Sequence, residues 1–278
     1  MLKSVRKIAP LYNGFQHIRN SSKFVDIAVS NQGIATVTMQ RKPVNSLNLE
    51  LLTQLHEAFE QVENDNAKGM ILTSGSDTVF SAGLDIMEMY KPDQERVKNF
   101  WSTLQDTWLK LYGLSTPTCA VINGHSPAGG CLLAMSCEYR IMSQNFTIGL
   151  NETKLGIVAP EWFIASMRNT ISNRETELAL TAGRLFTTDE ALKIGLIDEV
   201  ATSKEDGIAK SANFFKMFAK VNPLARQMTK TVCRKKDLQQ LIDNKEEDLQ
   251  QFLFFVNQPL VQKGLDMYIE ALKKKAKN

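Results

Sequence analysis

The sequence predicts an α/β fold extended by a helical C-terminal region, and three observations carry that prediction. Between residue 26 and about residue 150, short apolar runs of strand character alternate with segments of helical period, the pattern of parallel strands joined by crossover helices. Two of the strands, in "VFSAGLDIMEM" (79–89) and "INGHSPAGGCLLAM" (122–135), run through small residues directly into a helix. From about Pro160 onward the helical period dominates. With 278 residues, 43% of them hydrophobic, the chain is long enough for one large domain, and disordered or collagen-like classes are excluded.

Each element follows in order. "DIAVSNQGIATVTMQ" (26–40) alternates on both sides of an Asn-Gln-Gly turn and predicts a hairpin. "NLELLTQLHEAFEQVEND" (48–65) spaces Leu52, Leu55, Phe59 and Val62 along one helical face behind Asn48 as N-cap. "GMILTSG" (69–75) and "TCAVING" (118–124) are short runs with an apolar centre and are expected to be buried strands. Between them, "FWSTLQDTWLKLYG" (100–113) puts Trp101, Leu104, Trp108 and Leu111 on one helical face. A short helix from about Gly129 to Met135 and a strand "EYRIMS" (138–143) follow. Helices are then expected in "PEWFIASMRNTI" (160–171), "RETELALTAG" (174–183), "TTDEALKIG" (187–195) and two long segments after Pro223, interrupted by a strand "LIDEVA" (196–201). The expected organisation is a leader over 1–25, an α/β core over 26–200 and a helical region over 201–278. No internal repeat or low-complexity linker marks a second domain.

The formal charge of +3 is unevenly placed. Residues 1–25 hold Lys3, Arg6, Lys7, Arg19 and Lys23 and no acid, which leaves 28 basic against 30 acidic residues, a net of −2, for the rest. That balance gives no nucleic-acid footprint. The leader also carries apolar Leu2, Val5, Ile8, Leu11, Phe15 and Ile18 among basic and hydroxyl residues, the composition of a mitochondrial transit peptide. No apolar run approaches the roughly 20 residues of a membrane span, so no stable membrane insertion is expected. The cysteines, Cys119, Cys131, Cys137 and Cys233, have neither zinc-ribbon nor CxxC spacing and are expected to be buried, reduced thiols. No metal site is expected.

"GHSPAGGCLL" (124–133) begins like a nucleophile elbow around Ser126. Such a serine needs a histidine base, which follows it in the chain order of α/β-hydrolases, yet the three histidines are His17, His56 and His125. A backbone role fits better. Ala128, Gly129 and Gly130 expose main chain at the start of a helix, whose first N–H groups have no intrahelical acceptors. Ser81, Ala82 and Gly83 do the same at the other strand-to-helix junction, and two converging donors form an oxyanion hole.

"SAGLDI" (81–86), then "NGHSPAGGCLLAMSCEYRI" (123–141) and "IGLNETKLGIVAP" (148–160), together with "RKPVNSLN" (41–48) and "LDMYIEALKK" (265–274), resemble the crotonase or enoyl-CoA hydratase/isomerase superfamily, closest to its mitochondrial Δ3,Δ2-enoyl-CoA isomerase branch. The resemblance covers roughly residues 26–278. It implies a crotonase-type ββα spiral core whose helical C-terminal region is used for trimerisation. It also implies that the N–H groups of Leu84 and Gly129 hold a thioester carbonyl and that Glu152 is the acid/base carboxylate. "PVNSL" and "AGLDI", with Val44, Ser46, Leu47, Ala82, Gly83, Leu84, Asp85 and Ile86, are expected to wrap coenzyme A through backbone groups. Asn151, Leu132 and Trp162 are expected at the substrate together with Gly129, and Asp85 is also expected to cap the helix behind it. Where other members place a second catalytic glutamate, this chain has Leu132.

One carboxylate suits an isomerase. Hydration divides water activation and proton delivery between two carboxylates, whereas moving a double bond needs one base that reaches two carbons. The expected reaction is 3-enoyl-CoA to trans-2-enoyl-CoA in unsaturated fatty acid oxidation, in the mitochondrial matrix, by a homotrimer. No metal or redox cofactor is expected, since coenzyme A arrives as part of the substrate. The rivals are a hydratase or thioesterase on the same fold, a non-catalytic acyl-CoA binder and a serine hydrolase.

Overall fold

The computed structural model describes residues 15–16 and 23–275. Its strands are β1 (Phe15–Gln16), β2 (Val25–Ser30), β3 (Ile34–Met39), β4 (Gly69–Ser74), β5 (Thr118–Ile122), β6 (Ser126–Pro127), β7 (Tyr139–Ser143), β8 (Thr147–Gly149), β9 (Phe186–Thr187) and β10 (Glu199–Ala201). The main sheet has the order β1-β2-β3-β4-β5-β7-β10, and β6, β8 and β9 make a second, small sheet. β2 and β3 form the expected hairpin, turning at Gly33 with φ of +80°. From β3 onward the main sheet is parallel.

The helices are α1 (Leu49–Asn64), α2 (Ile86–Met89), α3 (Gln94–Gly113), α4 (Gly129–Ser136), α5 (Glu161–Arg168), α6 (Asn173–Ala182), α7 (Thr188–Ile194), α8 (Lys204–Lys216), α9 (Pro223–Val256) and α10 (Pro259–Lys275). Asn48 caps α1, its side chain accepting from Leu51 N–H. Asp85 caps α2 in the same way through Met87 N–H.

Strand alternation sends the central strands' side chains to two separate cores. Leu72, Ala120, Ile122 and Met142 join the large core with α1, α3 and α4, while Ile71, Cys119, Val121 and Ile141 meet Phe214 of α8 on the opposite face. Coverage of both faces explains why β4 and β5 are buried along their whole length. α8 lies within the expected helical region but is not singled out by the sequence as an element of its own. It is a weakly apolar segment interrupted by Gly207, where a Cβ would stand 2.7 Å from a Val121 methyl, so the glycine permits the close approach of helix to sheet. Helices α8, α9 and α10 follow β10, and of these α8 packs on the sheet.

α9 bears non-helical angles at Asn244 (φ −114°, ψ 16°) and is anchored by buried cations. Lys230 donates to Leu114 O, Arg226 to Ser115 O, and Arg234 to Tyr112 O and Ser136 O, which satisfies carbonyls at the ends of α3 and α4. Arg226 and Lys230 also pair with Glu138. Burial pushes the Glu138 carboxyl up, but the two cations more than offset this and hold it below its ordinary range. Arg226 and Lys230 therefore serve to anchor α9. Removing Glu138 strands two buried cations, so Glu138→Ala is expected to lower stability by about 3 to 5 kcal/mol in urea unfolding.

Cys119, Cys131 and Cys137 are buried as expected, but Cys233 is exposed because it lies on the outer face of α9. β1 falls within the expected leader and pairs antiparallel with β2, and Val25 opens β2 opposite Met39. Lys23 and Phe24 are described as well, and the other residues of the expected transit segment (1–14 and 17–22), with His17, lie outside the described residues. Among those residues no helix is long and apolar enough to cross a membrane, and no cluster of three or more metal-binding side chains occurs.

Candidate active site

Both strand-to-helix junctions meet at one end of the sheet. Phe80 N–H donates to His125 O and His125 N–H to Thr78 O, which fixes the register of the two loops. The segment 44–47 threads alongside: Ala82 N–H donates to Val44 O, Leu47 N–H to Gly83 O and Asp85 N–H to Leu47 O. Arg41 ties the same pieces together, donating to Ser46 O and pairing with Asp85 at 2.8 Å.

Two backbone conformations aim the donors. Gly83 has φ of +88°, and a Cβ there would stand 2.8 Å from the Ala128 Cβ and 3.1 Å from the Gly129 nitrogen. Ala128 has φ of 51° and ψ of −124°, a region that L-residues rarely occupy, and it delivers Gly129 as the first residue of α4. Neither Leu84 N–H nor Gly129 N–H has an acceptor among the described residues, and a Cβ on Gly129 would lie 3.4 Å from the Leu84 nitrogen. Two adjacent unpaired donors are what an oxyanion requires.

Glu152 comes from the other side, on a 3-10 turn (Glu152–Leu155) after β8 that closes at Gly156 with φ of +73°. It is 7% exposed, and neither carboxylate oxygen has a hydrogen-bond partner. Burial drives its pKa up from 4.5 to about 7. The Cys131 thiol of α4 is pushed up by its own burial and then by the Glu152 charge, which places the carboxylate beside that helix.

A cavity of about 650 Å³ joins these groups, lined among others by Leu84, Ala128, Glu152, Trp101, Trp162 and Phe252. Other carboxylates on its wall are all engaged: Glu161 with Arg168, Asp237 with Asn169, Glu247 with Gln251, and Asp248 with Trp101, Gln105 and Trp162. Glu152 is the one left free to take a proton.

Of the residues singled out from the sequence, Ala82, Leu84, Ile86, Asn151, Glu152 and Trp162 lie on the cavity wall. Gly83 and Gly129 stand behind it at the loop junction, and Val44, Ser46 and Asp85 belong to the supporting loops. Leu132 departs from the expectation. The Leu132 side chain is fully buried in the core and off the wall; the Leu47 side chain also packs inward, against Gly129, while its backbone, the part expected at coenzyme A, pairs with the 83–85 loop. Asn151 is on the wall but makes no hydrogen bond to the Glu152 carboxylate. Ser126 is buried without a partner, and the ring of neighbouring His125 is exposed and bonded to Thr147. His56 sits at the boundary of α1 beside Glu60, so neither described histidine serves the serine.

The sequence reading missed α9 as a wall. Leu241, Asn244, Asp248, Gln251, Phe252 and Phe255 recur at helical spacing along the cavity, but half of them are polar, so hydrophobic period does not reveal the stripe.

Comparison with other proteins agrees with this geometry. The enoyl-CoA hydratase/isomerase family model matches residues 29–278. The chain is 44% identical over 247 residues to mouse "Enoyl-CoA delta isomerase 1, mitochondrial", covering 87% of this chain and 85% of the relative. It is 42% identical over 245 residues to the human protein of the same description, covering 87% and 80%. Among solved structures, human mitochondrial delta3-delta2-enoyl-CoA isomerase superposes with a TM-score of 0.87 at 39% identity, over 91% of this chain and 99% of that one. An enoyl-CoA hydratase from Bacillus halodurans shares the fold, with a TM-score of 0.80 at 24% identity over 88% and 99%.

Proposed function

Because the chain belongs to the enoyl-CoA hydratase/isomerase family, we propose that it is an enoyl-CoA delta isomerase converting 3-enoyl-CoA to trans-2-enoyl-CoA in unsaturated fatty acid oxidation. The observation that carries the reading is Glu152: a buried carboxylate without partners, in the same cavity as Leu84 and Ala128, where the unpaired N–H groups of Leu84 and Gly129 lie side by side.

The thioester oxygen accepts Leu84 N–H and Gly129 N–H. Glu152 removes a proton from C2, the electron pair delocalises through the double bond onto the thioester oxygen as a dienolate, and the same carboxyl returns the proton to C4. Nothing is oxidised or reduced and no water is consumed, so the balance calls for no redox or metal co-reactant, and coenzyme A enters only as part of the substrate. Each oxyanion donor supplies about 3 to 4 kcal/mol selectively to the dienolate. The positioned base supplies a further ~3 to 5 kcal/mol. Two donors together outweigh the base.

Leu132 favours isomerisation over hydration, because a core leucine stands where hydratases keep a second carboxylate and water has no activating partner there. Conversion of a 3-enoyl-CoA, followed by the absorbance of the conjugated product, tests the reading, with hydration of a 2-enoyl-CoA as the second arm. Migration without fast hydration is expected, and rapid water addition would refute it. The relatives are named mitochondrial, and the basic, acid-free leader supports import into the matrix. Leu224, Met228 and Val232 form an exposed apolar stripe on α9 suited to a homotrimer, to be checked by sedimentation.

A further inference from the structure

The aromatic part of the cavity is organised around a single carboxylate that the proton transfer does not use. Asp248, on α9, accepts the indole N–H of Trp101 at 2.7 Å, the side-chain amide of Gln105 at 2.7 Å and the indole N–H of Trp162 at 3.2 Å. One turn further along the same helix, Phe252 stacks on Trp101 with ring centroids 3.7 Å apart and planes 7° from parallel. α9 therefore grips Trp101 by its edge and by its face. Trp162 is enclosed by Trp101 at 6.0 Å, Trp108 at 5.4 Å and Phe163 at 4.5 Å between centroids, and both Trp101 and Trp162 are 4% exposed. Neither indole turns without giving up its hydrogen bond to Asp248.

Resting on the isomerase reading, in which the acyl tail runs from Glu152 into this aromatic region, we propose that Asp248 determines specificity for acyl-chain length by locking Trp101 and Trp162 into an end wall that stops the tail. A tail that ends short of the wall gains apolar contact with the ring faces. A longer one must part the indoles from the carboxylate, which leaves two buried N–H donors unpaired and the Asp248 carboxylate with Gln105 in place of three donors. Discrimination that breaks hydrogen bonds is steeper than discrimination by volume alone.

Two measurements test this separately from the reading it rests on. The first is binding of saturated hexanoyl-CoA and dodecanoyl-CoA, followed by intrinsic fluorescence, since all three tryptophans of the chain stand in this cluster. The second is kcat/KM for 3-hexenoyl-CoA and 3-dodecenoyl-CoA. The wild type is expected to favour the shorter ligand in both. Asp248→Ala should raise the dodecyl-to-hexyl ratio about tenfold, mainly through KM and the binding constant. Trp162→Phe, which keeps a ring but deletes one donor, should move the ratio the same way by less, and it decides the matter if Asp248→Ala fails to fold. A wild type that prefers the longer tail, or variants that change both lengths equally, would overturn the wall. A wild type that binds by length yet turns over neither substrate would sink the isomerase reading and support the wall.

Discussion

Glu152→Gln is expected to lower kcat for double-bond migration by about 10²- to 10⁴-fold while leaving acyl-CoA binding largely intact. Glutamine fills the same space but cannot take the proton. The same substitution should also stabilise the fold. Burial raises the native carboxyl from 4.5 to about 7, so between those values the folded protein holds a proton that the unfolded chain has lost. Stability is thus fully present below the unfolded value, declines as pH rises towards 7, and stays reduced above it by about 3 kcal/mol. Urea unfolding should show Glu152→Gln more stable than wild type at about pH 8 and nearly equal at about pH 4. Activity runs the other way, because the base must be ionised: wild-type kcat/KM should climb with pH through about 7 and then level off. A variant as active as wild type would remove Glu152 from the mechanism. An inactive variant without the gain at alkaline pH would mean that the carboxyl is not desolvated in the free enzyme.

Gly83→Ala is expected to have the second large effect, a loss of about 10²- to 10³-fold in kcat, the scale of one missing oxyanion donor. The added methyl would meet the Ala128 Cβ at 2.8 Å and the Gly129 nitrogen at 3.1 Å, at a residue whose φ of +88° already disfavours any side chain. The loops must separate, and the two N–H groups cease to converge on one oxygen. Stopped-flow kinetics with a thermal melt as control checks this. A fall in kcat with the core intact supports the assignment, since binding contacts along the tail are untouched, whereas unchanged kcat would show that the donors lie elsewhere.

Most of the architecture is readable from local pattern. The Asn31-Gln32-Gly33 turn, the period-2 hairpin, the face carrying Leu52, Leu55, Phe59 and Val62, and the strand-to-glycine-to-helix junctions each reflect a constraint that acts within a few residues. β6, β8 and β9 were not readable, because strands of two or three residues carry too few positions to show alternation. α8 escaped because its apolar residues are few and its contact with the sheet depends on Gly207.

The candidate site divides in the same way. Residue order alone removed Ser126 for want of a histidine, whereas Leu84, Gly129 and Glu152, and Leu132 in place of a second carboxylate, were marked by the resemblance of the motifs to the family. Only the tertiary structure decided that Glu152 is desolvated and unpartnered, that Leu47 and Leu132 face the core, and that α9 closes the cavity with Asp248 gripping two tryptophans. The physical reason is range: turn geometry and helical period are set by neighbours along the chain, whereas burial and pairing depend on what distant segments bring to the same point in space.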